Sequence, residues 1–128
     1  MTDFPKGLAG VIASETNMSY IDGQEGKLEY VGISIDDLAE HSSFEETVFL
    51  LWNNRLPTAD ELAEFKARLA KRYALPAGLA RRVTEIPTTA EPMHVLRTAV
   101  SEMSFYDTHP SDVDVEQARR KAMNILGQ

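Results

Sequence analysis

The densest apolar run of the chain lies within residues 34–57 and predicts a central helix. Its apolar side chains are Phe44, Val48, Phe49, Leu50, Leu51, Trp52 and Leu56. Ser43 and Glu46 have the spacing of a capping box, in which each side chain binds a free backbone N–H at a helix start. Because apolar positions cover most of the circumference, we expect a helix buried on nearly all sides. Asn53, Asn54 and Pro57 end it, since proline disfavours helical geometry in the residue before it.

A β-hairpin is predicted ahead of this helix, after an irregular lead-in at residues 2–10. Two runs, residues 11–21 and 27–31, contain the strand-favouring residues Tyr20, Ile21, Leu28, Tyr30 and Val31. The sequence Asp22-Gly23-Gln24-Glu25-Gly26 between them has turn chemistry, with two glycines able to take positive φ. An isolated hairpin is marginal in water, so we expect it to lie on helices as a flap at the edge of a helical domain.

Five further helices are predicted by capping residues, prolines and apolar stripes. Ser34 caps a short helix at residues 35–41, and Thr58 with Glu61 forms a second capping box. Asp114 with Gln117 can cap the last helix, which Gly127 and Gln128 could end. The expected stripes are Leu62, Phe65, Leu69 and Tyr73; then Leu79, Val83 and Ile86 between Pro76 and Pro87; then Met93, Leu96, Val100 and Met103 after Pro92; and finally Val115, Ala118, Ala122 and Ile125.

The predicted fold class follows from this order of elements. Residues 1–33 hold the lead-in and an N-terminal β-hairpin, and residues 34–128 hold about six helices with short connections. Residues 88–91 are predicted to be a linker, and residues 107–112 a loop rich in turn residues. The fold is therefore predicted to be mainly α.

Composition narrows the classes of function. With 128 residues, 43% of them apolar and 26% charged, the chain is expected to form a globular domain. The net charge of −7 argues against a nucleic-acid or anionic-membrane surface. The absence of cysteine excludes disulfides and thiolate chemistry. Because no signal-peptide pattern or run of about 20 apolar residues is present, we expect a soluble, cytoplasmic protein.

The three histidines are the first candidates for catalysis, and each has a simpler interpretation. His41 ends the short helix beside Ser42 and Ser43, which favours a cap or a solvent-facing position. His94 lies in the first turn of a helix, where it could contact a ligand, although a surface position is favoured. His109 lies in a polar loop before a proline. The histidines alone therefore predict no site.

Paired acids and basic clusters are equally unspecific. Asp36-Asp37 and Glu45-Glu46 stand at helix starts, where acidic side chains complement the helix dipole. Arg81-Arg82 and Arg119-Arg120-Lys121 could hold phosphate, but among neighbouring acids they are expected to be solvated. The chain lacks the Gly-x-Ser-x-Gly, Walker and dinucleotide-binding motifs, and its Asp-Gly turn has the wrong ligand series for calcium. We therefore predict no catalytic, cofactor-binding or metal-binding residue from residue chemistry.

Taken as a whole, the chain resembles the N-terminal part of citrate synthase, of the compact bacterial and archaeal type. The resemblance rests on an ordered set of stretches over nearly all 128 residues. These are Lys6-Gly7-Leu8 with Gly10-Val11, SYIDGQEGKLEYVGISIDDLAEHSSFEE at 19–46, Leu50-Leu51-Trp52, RLPTADELAEF at 55–65, Pro92-Met93, and VLRTAVS at 95–101.

The resemblance implies an almost wholly helical enzyme with a large and a small domain that works as a dimer. The family condenses acetyl-CoA with oxaloacetate and water to give citrate and CoA, and needs no further cofactor. An aspartate, two histidines and several arginines carry the reaction by acid–base catalysis and charge stabilisation. In the family they lie in the later two-thirds of the chain, so none is assigned here, and His41, His94 and His109 do not align with them. Glu91 stands where the family commonly has the histidine of His-Pro-Met.

These implications place residues 1–128 in the large domain of a synthase, with the remainder of that chain and a second copy as partners. We expect the isolated chain to be inactive. One alternative is a segment of 2-methylcitrate synthase, which uses propionyl-CoA. Another is a short non-enzymatic helical module for dimerisation or regulation, which requires the reading frame to end at Gln128.

Overall fold

The computed structural model describes residues 12, 14–112 and 114–128. Within these residues, three strands come first: β1 (Ser19–Asp22), β2 (Lys27–Tyr30) and β3 (Ile33–Ser34). Six α-helices follow in the same described part of the chain: α1 (Ile35–His41), α2 (Phe44–Asn53), α3 (Ala59–Ala70), α4 (Ala77–Glu85), α5 (Pro92–Glu102) and α6 (Val115–Gly127). A 3₁₀ helix, Met103–Tyr106, follows α5. The mainly α fold class is confirmed.

The chain divides into two compact units, and the boundary between them falls within the sequence of α3: the first unit ends at Leu62 and the second runs from Ala63 to Gln128. The first unit contains the sheet, α1 and α2, and its buried apolar side chains are Leu38 and Leu50. The second contains α4, α5 and α6, and buries Phe65, Leu69, Leu79 and Met123. The assignment of residues 1–128 to one large domain stays a prediction.

The predicted hairpin is confirmed, although its first strand is shorter than expected. β1 pairs antiparallel with β2, from Ser19 opposite Tyr30 to Asp22 opposite Lys27. The carboxylate Oδ1 of Asp22 accepts from the backbone N–H groups of Gln24 (2.9 Å) and Glu25 (3.0 Å), which closes the turn. The predicted strand start at residue 11 lies outside the described residues, and residues 14–18 are not strand.

The sequence did not predict the third strand. β3 pairs antiparallel with β2 through a two-residue turn, with Tyr30 opposite Ile33. Both turn residues have positive φ, 53° at Val31 and 77° at Gly32, as a type I′ turn requires. A β-branched residue rarely takes this conformation, so Val31 is strained. Its backbone N–H donates to the carbonyl of Met18 (3.0 Å), which holds the turn against β1.

The predicted helix caps are confirmed in the first half of the chain. Ser34 Oγ accepts from the backbone N–H of Asp36 (3.2 Å) at the start of α1. Ser43 Oγ accepts from the N–H of Glu46 (3.3 Å), whose carboxylate accepts from the N–H of Ser43 (2.7 Å). Thr58 and Glu61 make the same reciprocal pair, at 3.3 and 2.8 Å. Each cap satisfies donors that the helix leaves free.

The expectation that α2 is buried on nearly all sides is wrong. Leu50 is 1% exposed, but Phe44 is 60% exposed and the other apolar side chains of α2 are half-buried. Within the described part of the first unit, the other elements are three short strands, the seven-residue α1 and the start of α3. These are too small to enclose the whole circumference of α2.

The predicted apolar faces of the later helices are also wrong in part. Phe65 and Leu69 are buried as expected, but α3 ends before Tyr73, which is exposed. On α5 the covered side runs through Val95 and Ala99 and continues to Met103 at the start of the 3₁₀ helix, whereas Met93 is 69% and Leu96 55% exposed. On α6 the covered positions are Gln117, residues 120–124, Leu126 and Gly127, so Ala122 lies on the covered side as expected, whereas Val115, Ala118 and Ile125 are exposed. The covered face of α6 thus combines the apolar side chains of Ala122, Met123 and Leu126 with the polar side chains of Arg120, Lys121 and Asn124.

Candidate functional site

The three histidines are all exposed to solvent. His41 ends α1 with an exposed side chain, and its Nε2 is 4.0 Å from the carboxylate of Glu40. His94 is exposed in the first turn of α5. The ring Nδ1 of His109 lies 2.8 Å from the hydroxyl of Thr108. The histidines therefore sit in three separate elements, and the surface and loop positions expected for them are confirmed.

The basic pair Arg81-Arg82 is not simply solvated, as the sequence suggested. Arg82 on α4 forms a hydrogen-bonded ion pair with Glu102 at the end of α5. The same guanidinium donates to the hydroxyl of Tyr106 (3.4 Å). Gly78, one helical turn before Arg82, permits this contact, because a Cβ atom there would lie 2.5 Å from Tyr106 Oη. These residues link α4 to the end of α5.

A second set of charges forms around Asp107, which follows the 3₁₀ helix. Its Oδ1 accepts from Arg120 Nη2 (2.8 Å) and from the backbone N–H of His109 (3.1 Å). The hydrogen bond from Arg120 lowers the pKa of Asp107 to about 2, and the bond from His109 acts in the same direction. Arg120 Nε also donates to Gln117 Oε1 (2.7 Å), so the guanidinium is held from two sides.

Lys121, next to Arg120, reaches the loop at residues 107–112. Its Nζ donates to the backbone carbonyls of Asp112 (2.7 Å) and Pro110 (3.0 Å). It also lies 3.5 Å from Asp107 Oδ2. Within the cluster Arg119-Arg120-Lys121, the latter two residues are therefore engaged inside the protein, and the expectation that the cluster is solvated is wrong for them.

A cavity of about 250 Å³ lies beside this charged cluster. Its walls come from the residue before α4, from α5, the 3₁₀ helix, the loop and α6. They are lined by Pro76, Val100, Met103, Ser104, Tyr106, Asp107, Pro110, Lys121, Asn124, Ile125 and Gln128. The charged groups that border it, Asp107 and Lys121, are already engaged with each other and with the loop. The cavity therefore offers no unpaired charge to a ligand.

A second, open groove of about 470 Å³ lies in the same unit and is mainly apolar. Its lining residues are Leu75, Leu79, Val83, Ile86, Pro87, Thr88, Ala90, Pro92, Val95, Leu96, Ala99 and Gln128. The groove is rimmed by the exposed side of α5 that carries Leu96. No ionisable side chain lines it, so it is suited to packing rather than to acid–base chemistry.

In the first unit, a charge contact lies at the junction between α2 and α3. The guanidinium of Arg55 binds both carboxylate oxygens of Glu61, at 2.8 and 2.5 Å, and lies 5.4 Å from the ring centroid of Phe49. Hydrogen bonds from Arg55 and from the N–H of Thr58 lower the pKa of Glu61 to about 2. The contact fixes the turn between the two helices and contains no nucleophile.

The described residues contain neither a cluster suited to a metal ion nor a helix suited to crossing a membrane. Across residues 12, 14–112 and 114–128, no three His, Asp or Glu side chains are grouped so that they could hold a metal ion. Among the described helices, none combines the length and the apolar composition that a membrane-spanning segment requires. That the chain carries no catalytic, cofactor-binding or metal-binding residue stays a prediction.

The described residues form a mainly helical fold in which several charged side chains are paired, such as Arg82 with Glu102 and Arg120 with Asp107. Comparison with known proteins supplies the family. The family model described as "Citrate synthase, C-terminal domain" matches residues 7–128. The chain is 42% identical to 2-methylcitrate synthase 2 of Corynebacterium glutamicum over 127 residues, 99% of this chain and 33% of that protein. It is 38% identical to citrate synthase of Deinococcus radiodurans, over 100% of this chain and 34% of that protein.

A solved structure agrees with these relatives. The citrate synthase of Thermoplasma acidophilum, solved in a ternary complex with carboxymethyl coenzyme A and oxaloacetate, matches with a TM-score of 0.82 at 27% identity. The match covers 92% of this chain and 31% of that one. The chain belongs to the citrate synthase family. It spans about one-third of the length of the curated relatives it matches.

The contacts of the second unit were missed at the sequence level because they join distant positions. Asp107 and Arg120 are 13 residues apart, and Arg82 and Glu102 are 20 apart. Helical spacing predicts contacts at three or four residues only. The available signal was the placement of an acid immediately before a turn-rich loop and of a basic cluster soon after it.

Proposed function

We propose that this chain is the N-terminal segment of the large domain of a citrate synthase, which condenses acetyl-CoA with oxaloacetate and water to give citrate and CoA. The observation that carries the proposal is the family match over residues 7–128. The Thermoplasma acidophilum relative, which was solved with carboxymethyl coenzyme A and oxaloacetate, supports these substrates. The catalytic aspartate and histidines belong, on this proposal, to the remaining part of the synthase chain.

The proposal makes the 128-residue chain inactive by itself. The charged groups described in it are engaged in ion pairs that hold helices together, such as Arg82 with Glu102 and Arg120 with Asp107. The test is the release of CoA from acetyl-CoA and oxaloacetate, measured with the complete protein and with the pure 128-residue chain. We expect release by the complete protein alone. Release by the 128-residue chain would contradict the proposal that the catalytic residues lie elsewhere.

A second candidate is 2-methylcitrate synthase, which uses propionyl-CoA. It is favoured by the 42% identity to the Corynebacterium glutamicum enzyme, against 38% to the Deinococcus radiodurans citrate synthase. The test compares kcat/KM of the complete protein for acetyl-CoA and propionyl-CoA at saturating oxaloacetate. A higher value for acetyl-CoA supports the first candidate, and a higher value for propionyl-CoA supports the second.

The proposed partners are the remainder of the synthase chain and a second copy of the protein. Exposed apolar side chains on α5 and α6 support this part of the proposal, since soluble proteins rarely leave large apolar patches uncovered. They include Met93 and Leu96 on α5 and Val115 and Ile125 on α6. A cytoplasmic location, with neither nucleic acid nor membrane as a partner, is proposed on the family resemblance.

A further inference from the structure

We propose that the loop at residues 107–112 is a cation-binding loop whose cation is the ammonium group of the chain's own Lys121. In this arrangement the ammonium group holds the connection between α5 and α6 in one conformation. The inference does not depend on the reaction catalysed, because it concerns contacts within the second unit. It gives a structural role to Lys121, which the sequence predicts to be solvated.

The first support is the match between donors and acceptors. A lysine ammonium has three N–H donors and no acceptor. Three oxygens of the loop surround Lys121 Nζ: the carbonyls of Asp112 at 2.7 Å and Pro110 at 3.0 Å, and the Asp107 carboxylate at 3.5 Å. The Lys121 side chain is only 22% exposed, so these contacts replace much of its water. A carboxylate with two backbone carbonyls is the type of oxygen set that binds hard cations.

The second support is the shape of the loop. Asp107 Oδ1 accepts from the N–H of His109, and the carbonyl of His109 accepts from the N–H of Asp112 (3.3 Å). These turns bring the carbonyls of Pro110 and Asp112 towards the same point. Converging carbonyl dipoles repel one another unless a donor or a cation lies between them. Lys121 supplies the positive charge at that point.

The third support is the division of contacts between neighbouring basic residues. Arg120 binds Oδ1 of Asp107, whereas Lys121 is nearest to Oδ2. Arg120 therefore orients the carboxylate, and Lys121 joins that carboxylate to the rest of the loop. Asp107, Pro110 and Lys121 all line the 250 Å³ cavity. The ammonium contact consequently sets the position of one cavity wall.

The main experiment uses Lys121→Ala in the complete protein, with amide hydrogen exchange of the loop as the readout. We expect protection of the Asp112 amide to fall by about tenfold or more, since hydrogen bonds to charged groups are among the stronger ones. Ethylammonium chloride should restore part of this protection by placing a free ammonium among the three oxygens. Tetramethylammonium chloride, which has no N–H donor, should not. Lys66→Ala, an exposed lysine on α3, is the matched control and should leave the loop unchanged.

Two results of this experiment would overturn the proposal: unchanged protection in Lys121→Ala, or equal restoration by the two salts. If the variant does not fold, labelling of the wild-type protein decides instead. Acetylation by an N-hydroxysuccinimide ester should modify Lys121 several-fold more slowly than the exposed Lys66 and Lys71 in the folded protein, and at a similar rate in urea. Equal acetylation rates of Lys121 and the exposed lysines in the folded protein would refute the proposal that the loop binds the Lys121 ammonium group.

Discussion

Arg72 and Asn124 meet across 52 residues of sequence, with Arg72 Nε donating to Asn124 Oδ1 over 3.0 Å. The same guanidinium donates to the carbonyl of Arg68 (2.7 Å), in the last turn of α3. Arg72 thus places positive charge at the C-terminal end of α3 and connects that end to α6. A positive group at this position also complements the helix dipole.

A double-mutant cycle on Arg72→Met and Asn124→Ala should reveal this contact as coupling. We expect each single variant to lower the free energy of unfolding. The loss in the double variant should be about 1 kcal/mol smaller than the two single losses added together, which is typical of a side-chain hydrogen bond. Urea denaturation of the four proteins measures the coupling. Additive losses would mean that the two side chains do not interact in solution.

Close packing at the end of α6 leads to a second prediction. A Cβ atom on Gly127 would lie 2.9 Å from Arg72 Cβ and 3.2 Å from the Arg72 carbonyl oxygen. Gly127→Ala should therefore destabilise the protein by about 1–3 kcal/mol from overpacking, although alanine is the better helix former. Gly23→Ala is the control, because a Cβ atom there would meet open space. Thermal melting compares the two, and a Gly127→Ala melting temperature at or above wild type would refute the close approach.

The strained turn between β2 and β3 leads to a third prediction, which concerns stability. Val31 has a φ of 53°, which costs an L-residue about 1–2 kcal/mol. Val31→Asn gives the Asn-Gly sequence that type I′ turns prefer and should raise the free energy of unfolding by about 1 kcal/mol. Val31→Thr keeps the β-branch and should not raise the free energy of unfolding. Equal stability of Asn and Thr variants in urea would argue against strain at this position.

Acid titration tests the contact between Arg55 and Glu61. The pKa of Glu61 is about 2 in the folded protein, below its ordinary value of 4.5. Its contribution to stability is therefore present above pH 4.5 and is lost as the pH falls towards 2. Glu61→Gln and Arg55→Gln should each be less stable than wild type at pH 7, and the difference should shrink across this window. Urea midpoints measured from pH 7 to pH 2 provide the test, and a constant difference would contradict it.

The exposed face of α5 gives a prediction about assembly. Leu96 is 55% exposed in this chain, and in the proposed dimer a charge at such a position would have to be buried without a partner. Leu96→Glu in the complete protein should raise the dimer dissociation constant by about a hundredfold or more. Thr98→Glu, an exposed position on the same helix, should have little effect. Analytical ultracentrifugation measures the dissociation constants of the two variants. An intact Leu96→Glu dimer would exclude the Leu96 face of α5 from the dimer interface.

Local signals in the sequence predicted the positions of the helices well. Ser34, Ser43 and Thr58 start their helices through hydrogen bonds to residues two or three positions away. Such contacts can be recognised from spacing alone. The third strand was missed because its turn places Val31, a β-branched residue, where glycine or asparagine is expected.

The faces of the later helices could not be predicted in the same way. Apolar periodicity assigned Val115 and Ile125 to the covered side of α6, yet both are exposed. The covered side carries Ala122 and Met123, but also Arg120 and Asn124, which bind Asp107 and Arg72 on distant segments. Periodicity reports which side chains avoid water but carries no information about ion pairs formed across the fold. The cavity and the loop contact of Lys121 depend on those same distant partners.

The local caps of the first unit and the distant contacts of the second have a consequence for the order of folding during synthesis. The start of α2 is stabilised by residues within three positions, so we expect it to form soon after residue 46 leaves the ribosome. Arg72 must wait for 52 more residues before Asn124 is available. Until then the end of α3 lacks its partner on α6. The second unit is therefore incompletely folded during this interval, and its apolar side chains are accessible to chaperones.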